Sequence, residues 1–352
     1  MKEGNARCGR LLLFRLSALG DVVMLLPVLK ALGEQYPGVE VVLVSQPFVA
    51  PLVSPLPNVR FIPARIRDKH KGLGGLWRLA REIAQLGPYD GVADMHSVLR
   101  VWLVRSFLRL RLLMRHPRSA AIDKGRAAKR RLTRGACSLP LRHTVQRYGD
   151  VLARLGYPVE VAEQLGGFAG GEIPPELAEQ LVAAGPRVGF APFAKHRGKI
   201  YPVERAERLV ALLLEAGCRV FLFGGGEGEK AVFDGWRAEH PELVSVMDYG
   251  LRFGGELELM RRLDTMISMD SANMHLASWA GTPVVSVWGA THPNAGFMGW
   301  GQCLDNAVQD EELGCRPCSI FGNKPCARGD YACLDIAPER IRDRVFGLQS
   351  GG

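Results

Sequence analysis

The sequence predicts an α/β protein built from two parallel-sheet halves, and three observations carry that prediction. Short apolar or β-branched runs alternate with amphipathic segments along the 352 residues. The stretch Met266–Gly289 packs strand, turn, helix, glycine turn and strand into one βαβ rhythm. The Gly- and Pro-rich stretch Gly166–Pro175 separates two such series, and the chain is long enough for two cores. The expected boundaries are 1–165 for a first Rossmann-like domain, 166–178 for a linker, 179–336 for a second such domain and 337–352 for a terminal helix and tail.

Leu11–Phe14 is a buried-strand run that stops at Arg15. Leu16-Ser-Ala-Leu-Gly-Asp21 is a small-residue loop opening a helix over Val22–Leu32, with Pro27 in its first turns. Val39–Val44 and Val59–Ile62 are further strands. Arg60, Arg65, Arg67, Lys69, His70 and Lys71 form a basic stretch before a helix over Leu76–Leu86. Gly91–Asp94 is a fourth strand that brings Asp94 and His96 to its carboxyl end, where ligands of open α/β sheets bind. Helix is expected through the basic stretch Arg100–Arg134 and again over Val145–Leu155. In the second series, strands at Arg187–Phe190, Arg219–Phe223, Thr265–Ser268 and Val284–Trp288 accompany helices over Val203–Ala216, Glu229–His240 and Pro338–Leu348.

A net charge of +9 implies a polyanionic partner: nucleic acid, anionic lipid or a phosphorylated substrate. The excess is concentrated between Arg100 and Arg134, where Asp123 is the sole acid among twelve cations, interleaved with Trp102 and Phe107. Such a run is either a solvated helix face or an anion-binding surface. No nucleic-acid motif accompanies it, which leaves a basic nucleic-acid-binding protein as the disfavoured alternative. No long apolar run is free of charge, and the first residues do not form a signal peptide, so the expectation is a cytoplasmic protein.

Three loops of the second half point to one ligand. Ala191–Pro202 follows a strand and carries Lys195, Arg197 and Lys199. Gly224-Gly-Gly-Glu-Gly-Glu229 follows another strand, its glycines permitting close backbone approach and its carboxylate suited to ribose hydroxyls. Asp270 and Ser271 end a strand at the start of the helix bearing His275, where free N–H groups and the helix dipole favour phosphate. In the first half, Asp21 sits at a strand-to-helix turn. Spacing alone favours a helix-terminus role for it, against a general base facing an interdomain cleft.

Cys315-Arg-Pro-Cys318, Cys326 and Cys333 resemble a structural zinc knuckle with loose spacing, and four ordinary thiols are the favoured alternative. Cys8, Cys137, Cys218 and Cys303 are scattered thiols, while His143 and His292 read as structural.

Leu16–Asp21, Lys199-Ile-Tyr-Pro202, Met269–Ala277 and Gly281-Thr-Pro-Val-Val285 resemble the motifs of glycosyltransferase family 9, in order and over nearly the whole chain. The family includes the ADP-heptose:lipopolysaccharide heptosyltransferases. The resemblance implies a GT-B-like fold: two Rossmann-like domains facing a central cleft, acceptor on the first, nucleotide sugar on the second, and the final helix packed back on the first. It implies Asp21 as catalytic base, Lys199 on the donor phosphates and Glu229 on the adenosine ribose. Asp270, Ser271, Ala272 and His275 match the Asp-Thr-Gly-x-x-His segment at the pyrophosphate and sugar, with Ser for Thr and Ala for Gly. Tyr201 stands for the usual Trp, a change expected to alter stacking near the base. On the acceptor side it implies Ser17 and Gly20, with Arg60, Arg65, Lys69 and Arg118 on the anionic inner core of lipid A. The implied reaction is inverting heptose transfer from ADP-heptose to a Kdo/heptose acceptor, without a required cofactor or catalytic metal, at the cytoplasmic membrane face. Another nucleotide sugar or surface-glycan acceptor is the alternative within the same chemistry.

Overall fold

The computed structural model describes residues 8–111, 117–135, 139–163, 166–167 and 171–349, which leaves Cys137 and part of the expected linker outside the described residues. The chain divides into two compact units: Met1–Lys124 with Thr144–Ala162, and Gly125–His143 with Glu163–Gly352.

The first unit holds β1 (Gly9–Phe14), α1 (Leu19–Val23), α2 (Leu26–Gln35), β2 (Val39–Ser45), α3 (Ala50–Val53), β3 (Val59–Pro63), α4 (Gly72–Ala84), β4 (Gly91–Asp94), α5 (Leu99–Arg111) and β5 (Arg118–Ala121). Then α6 (Arg126–Leu132) belongs to the second unit, and the chain returns to the first for α7 (Thr144–Arg154). All pairings in its sheet are parallel, in the order β3-β2-β1-β4-β5. One face is buried by α4 and α5, where Leu12, Phe14, Val42 and Val44 meet Leu76, Leu79, Val101 and Val104. Against the strands β4 and β5 packs α7, which also touches α2.

The second unit continues with α8 (Pro175–Gln180), β6 (Arg187–Ala191), α9 (Val203–Glu215), β7 (Arg219–Leu222), α10 (Glu227–Glu239) and β8 (Val244–Ser245). It closes with α11 (Phe253–Arg261), β9 (Thr265–Met269), α12 (Ala272–Ala280), β10 (Val284–Trp288), β11 (Ala307–Gln309) and α13 (Pro338–Gln349). This sheet is also parallel, ordered β11-β10-β9-β6-β7-β8.

The structure corrects the sequence expectations at several points. The expected helix over 22–32 is two helices, because Pro27 has no N–H for the carbonyl four residues back and instead occupies the first turn of α2. The basic stretch is not helical throughout: Arg118–Ala121 pairs with β4 as an edge strand, which its sequence of Arg, Ser and Ala does not announce. The expected linker gives way to α8 from Pro175. Finally, α13 buries Ile341 and Val345 in the second unit's core with Tyr201 and Leu209, and packs on α9. Its apolar positions complete the second core.

One cation staples the β10 end of the second sheet. Arg316 donates to the carbonyls of Gly289 (2.6 Å), Asp310, Trp288 (3.0 Å) and Thr291 (2.9 Å), and to the Gln309 side chain (3.1 Å). Arg316→Met leaves these acceptors without donors. It is expected to cost roughly 2–3 kcal/mol, read as a lower urea midpoint with unchanged slope.

Candidate functional site

Parallel sheets collect ligand sites where neighbouring strands send their connections in opposite directions. In the first unit that place lies between β1 and β4, and in the second between β6 and β9.

At the first switch point the apolar run of β1 ends on Arg15, whose guanidinium is buried. It pairs with the Asp21 carboxylate, donates to the Met95 carbonyl at 2.6 Å and lies 5.8 Å from the centre of the Tyr148 ring. The Tyr148 hydroxyl in turn donates to the Asp21 carbonyl at 3.1 Å, and burial pushes that phenol well above its usual range. Asp21 Oδ2 also accepts the Ala18 N–H at 3.2 Å. Among the described residues no hydrogen bond reaches Oδ1. The carboxylate is therefore oriented through one oxygen and open at the other. Ser17 and Gly20, half-buried in the same turn, flank it. Arg15 was legible in the sequence only as the charge that interrupts a strand, and its role as the partner of Asp21 was missed; Tyr148 carried no signal.

Asp94 and His96 lie across the same switch point. Asp94 is buried, accepts the N–H groups of His96 (3.0 Å) and Ser97 (2.6 Å), and pairs with Arg105 at 3.0 Å. Burial first, then the Arg15 and Lys124 cations, push the His96 imidazole down to about 4, against the pull of Asp21 and Asp94. Its Nδ1 accepts the Leu16 N–H at 3.3 Å, the bond of a neutral ring.

The expected acceptor cations are not brought together. Arg65 and Lys69 lie on the loop beyond β3, Lys69 pairing with Glu82 at 2.7 Å beside the buried His70. Arg60 is second in β3, level with Leu12, and Arg118 begins β5, level with Leu11, whereas Asp94 is level with Phe14. Their places near the amino ends of the edge strands separate Arg60 and Arg118 from the Asp21 turn.

At the second switch point Lys199 reaches from the loop after β6 to the end of β9. Its Nζ meets Asp270 Oδ2 at 2.7 Å and the Asp270 carbonyl at 3.1 Å, with both side chains largely buried. An ammonium has three donors, so one remains. Ser271 precedes α12 and its hydroxyl lies 3.2 Å from that of Ser268, while Ala272 opens the helix and His275 is buried one turn on. The lysine stem is confined by Gly322, whose φ is +70° and where a Cβ would come 2.6 Å from Lys199 Cγ. Arg197 stacks on Tyr331 at 4.9 Å. The cysteine-rich segment thus forms the wall behind the Lys199 loop.

Glu229, in the first turn of α10, accepts the Gly225 N–H at 2.7 Å through Oε2 and so shapes its own glycine loop. Tyr201 corrects an expectation: it is buried and donates to the Ile336 carbonyl at 2.5 Å, a core role rather than a stacking surface. Cys315, Cys318, Cys326 and Cys333 line one small cavity, yet among the described residues no group of three His, Cys, Asp or Glu is placed to hold a metal. His143 bonds the Met298 carbonyl at 2.6 Å and His292 Nδ1 accepts the Asn294 N–H at 3.0 Å. Cys218 is buried, whereas Cys8 and Cys303 are exposed.

The family model described as glycosyltransferase family 9 (heptosyltransferase) matches residues 77–319. The chain belongs to this family. It is a glycosyltransferase, and its two parallel sheets are the GT-B-like pair of that family. Lipopolysaccharide heptosyltransferase 1 of Pseudomonas aeruginosa is 28% identical over 88% of this chain and 86% of its own length. Lipooligosaccharide heptosyltransferase 2 of Haemophilus influenzae is 23% identical over 79% of this chain and 82% of its own length. The E. coli heptosyltransferase WaaC, solved with ADP, superposes with a TM-score of 0.67 at 19% identity, covering 96% of this chain and 99% of that one.

His96 gives the transferase an acid limit. A value held below that of the unfolded chain contributes stability that is present above about 6.5 and lost as pH falls through 4. His143, which burial also pushes down to about 4, adds to the same window. The thermal midpoint is expected to fall from pH 6.5 to 5, above the carboxylate range, and His96→Gln to fall less steeply.

Proposed function

We propose that this glycosyltransferase moves heptose from ADP-heptose to a hydroxyl of a lipopolysaccharide inner-core acceptor of Kdo and heptose, inverting the anomeric centre. The relatives named as lipopolysaccharide and lipooligosaccharide heptosyltransferases support the sugar and the class of acceptor, and the similar heptosyltransferase solved with ADP supports the nucleotide. The observation that carries the chemistry is the matched pair of switch points: a carboxylate with one open oxygen in the first unit, and an ammonium with one donor remaining beside a helix start in the second.

A sugar hydroxyl is a weak nucleophile until a base takes its proton. Arg15 and the Ala18 N–H hold Asp21 by Oδ2, which turns Oδ1 toward the acceptor hydroxyl. The acceptor oxygen bonds to the anomeric carbon as the bond to the ADP oxygen breaks, and the electron pair leaves on ADP. That growing charge requires donors already in position. The third N–H of Lys199 and the backbone N–H groups opening α12 at Ala272 and Asn273 supply them, with Asp270 fixing the lysine, and Ser271 and His275 beside them. Glu229 takes the ribose hydroxyls with its remaining oxygen. Arg65 and Lys69 meet the acceptor's anionic groups, and the enzyme works at the cytoplasmic face of the membrane. No cofactor enters this scheme.

ADP release from ADP-heptose, dependent on lipid A–Kdo acceptor, tests the proposal. Asp21→Asn is a cleaner variant than Asp21→Ala, because its amide oxygen can still accept from Arg15 and the Ala18 N–H while the basic carboxylate is gone. It is expected to lower turnover by about 10²–10⁴-fold while ADP binding persists; full activity would remove Asp21 from the chemistry. Turnover by wild type with only some other nucleotide sugar would overturn the donor assignment.

The wall behind Lys199 yields a separate expectation. Gly322→Ala should displace the lysine from Asp270 and weaken ADP binding about tenfold by calorimetry, an energy of about 1.4 kcal/mol.

A further inference from the structure

The outward face of α5 carries exposed apolar side chains. Leu99, Trp102 and Leu110 lie on one side at helical spacing with Ser106 between them, while Leu103 beside them leans onto the core. Leu99 is 70% exposed, and Trp102 and Leu110 are each 58% exposed. The opposite side is already spent on the core through Val101, Val104 and Leu108. A helix on a water-facing surface normally turns polar residues outward; α5 turns out leucine and tryptophan. Next to it, Leu73 in the first turn of α4 is 65% exposed at the rim of a groove of about 530 Å³ that runs between the two helices.

The charges around this face have one sign. Arg67, Lys71 and Arg100 line the groove, and Arg109 flanks the stripe on the other side. No acidic residue occurs between Asp94 and Asp123. Among the described residues none of these four cations has a carboxylate partner. Leucines that need hydrocarbon, ringed by cations that need anions, fit the boundary between acyl chains and headgroups. Two copies of the chain would bring their arginine rows into mutual repulsion, and a nucleic acid offers nothing to the leucines.

We propose that α5, with Leu73, is the surface on which this protein lies on an anionic bilayer. Leu99, Trp102 and Leu110 enter the interface while Arg67, Lys71, Arg100 and Arg109 engage lipid phosphates. Because α5 begins directly beyond the carboxyl end of β4, its first turn stands at the same end of the sheet as Asp21 and His96. Docking through it turns the first unit's site toward the membrane. The proposal deepens the membrane-face part of the functional reading and does not depend on which sugar is transferred.

Sedimentation of the full-length protein with phosphatidylglycerol-containing vesicles, against phosphatidylcholine alone, is the test. Binding is expected only to the anionic vesicles and to weaken with salt, and brominated acyl chains should quench a fluorescence component that Trp102→Phe removes. Leu99→Ser with Leu110→Ser, and separately Arg100→Glu with Arg109→Glu, should each lower partitioning by at least about tenfold. Both should retain ADP release with a delipidated, water-soluble acceptor, which keeps docking distinct from catalysis. Equal vesicle binding by the variants would overturn the proposal. So would absence of binding to either vesicle by wild type, or a wild-type dimer abolished by the leucine changes without any vesicle binding.

Discussion

Parallel pairing about a central first strand is the constraint on which the rest of this molecule depends. In each unit the first strand, β1 or β6, is flanked on both sides by later strands, so the connections leave it in opposite directions. The break between them is where loops need not cover the sheet, and where strand ends and helix starts present backbone dipoles. The loops after β1 and β4 carry Asp21 and His96, and those after β6 and β9 carry Lys199 and Asp270. A one-residue slip in either central strand would exchange the side chains packed on its two covered faces and dismantle both the packing and the site.

The two sites handle charge in complementary ways. In the first, a buried guanidinium holds a carboxylate and a neutral imidazole caps the opposing turn, so the group proposed to accept a proton is fixed in direction but not consumed. In the second, a carboxylate holds an ammonium, so the group proposed to meet phosphate is fixed while a donor remains. Breaking either pair from one side leaves a largely buried charge behind, which explains why each is joined to further bonds: Arg15 to the Met95 carbonyl, Lys199 to the Asp270 carbonyl. The glycines and aromatics of the cysteine-rich segment add a steric limit behind Lys199 that no charge could impose.

The basic stretch shows how one local pattern can serve two structures. Through Leu110 its spacing suits a helix whose inner and outer faces are both apolar, and the structure places that helix as α5. After Pro117 the same cationic composition becomes an edge strand, because β4 offers an unpaired ladder and four residues suffice to fill it. Arg118 and Arg105 thereby part company: one starts a strand away from the site, the other pairs with Asp94 within it.

Much of this protein was legible in one dimension. Short continuous apolar runs announced β1, β2, β4, β6, β9 and β10, because strands covered on both faces bury consecutive side chains, and period-3.6 patterns announced the helices α4, α7, α9, α10 and α13. The motifs around Asp21, Lys199 and Asp270 marked the chemistry, since loops at strand ends must combine small residues with a few charged ones. What sequence could not determine were the partners: Arg15 for Asp21, Asp270 for Lys199, Gly322 against the lysine stem, Ile341 beside Tyr201 and Leu209 in the second core. Apart from Arg15 and Asp21, six positions apart across the turn after β1, those pairings join residues tens of positions apart or more than a hundred, and no local periodicity encodes any of them. They were decided by the tertiary structure, where burial leaves a charge or an apolar stripe with a single neighbour able to satisfy it.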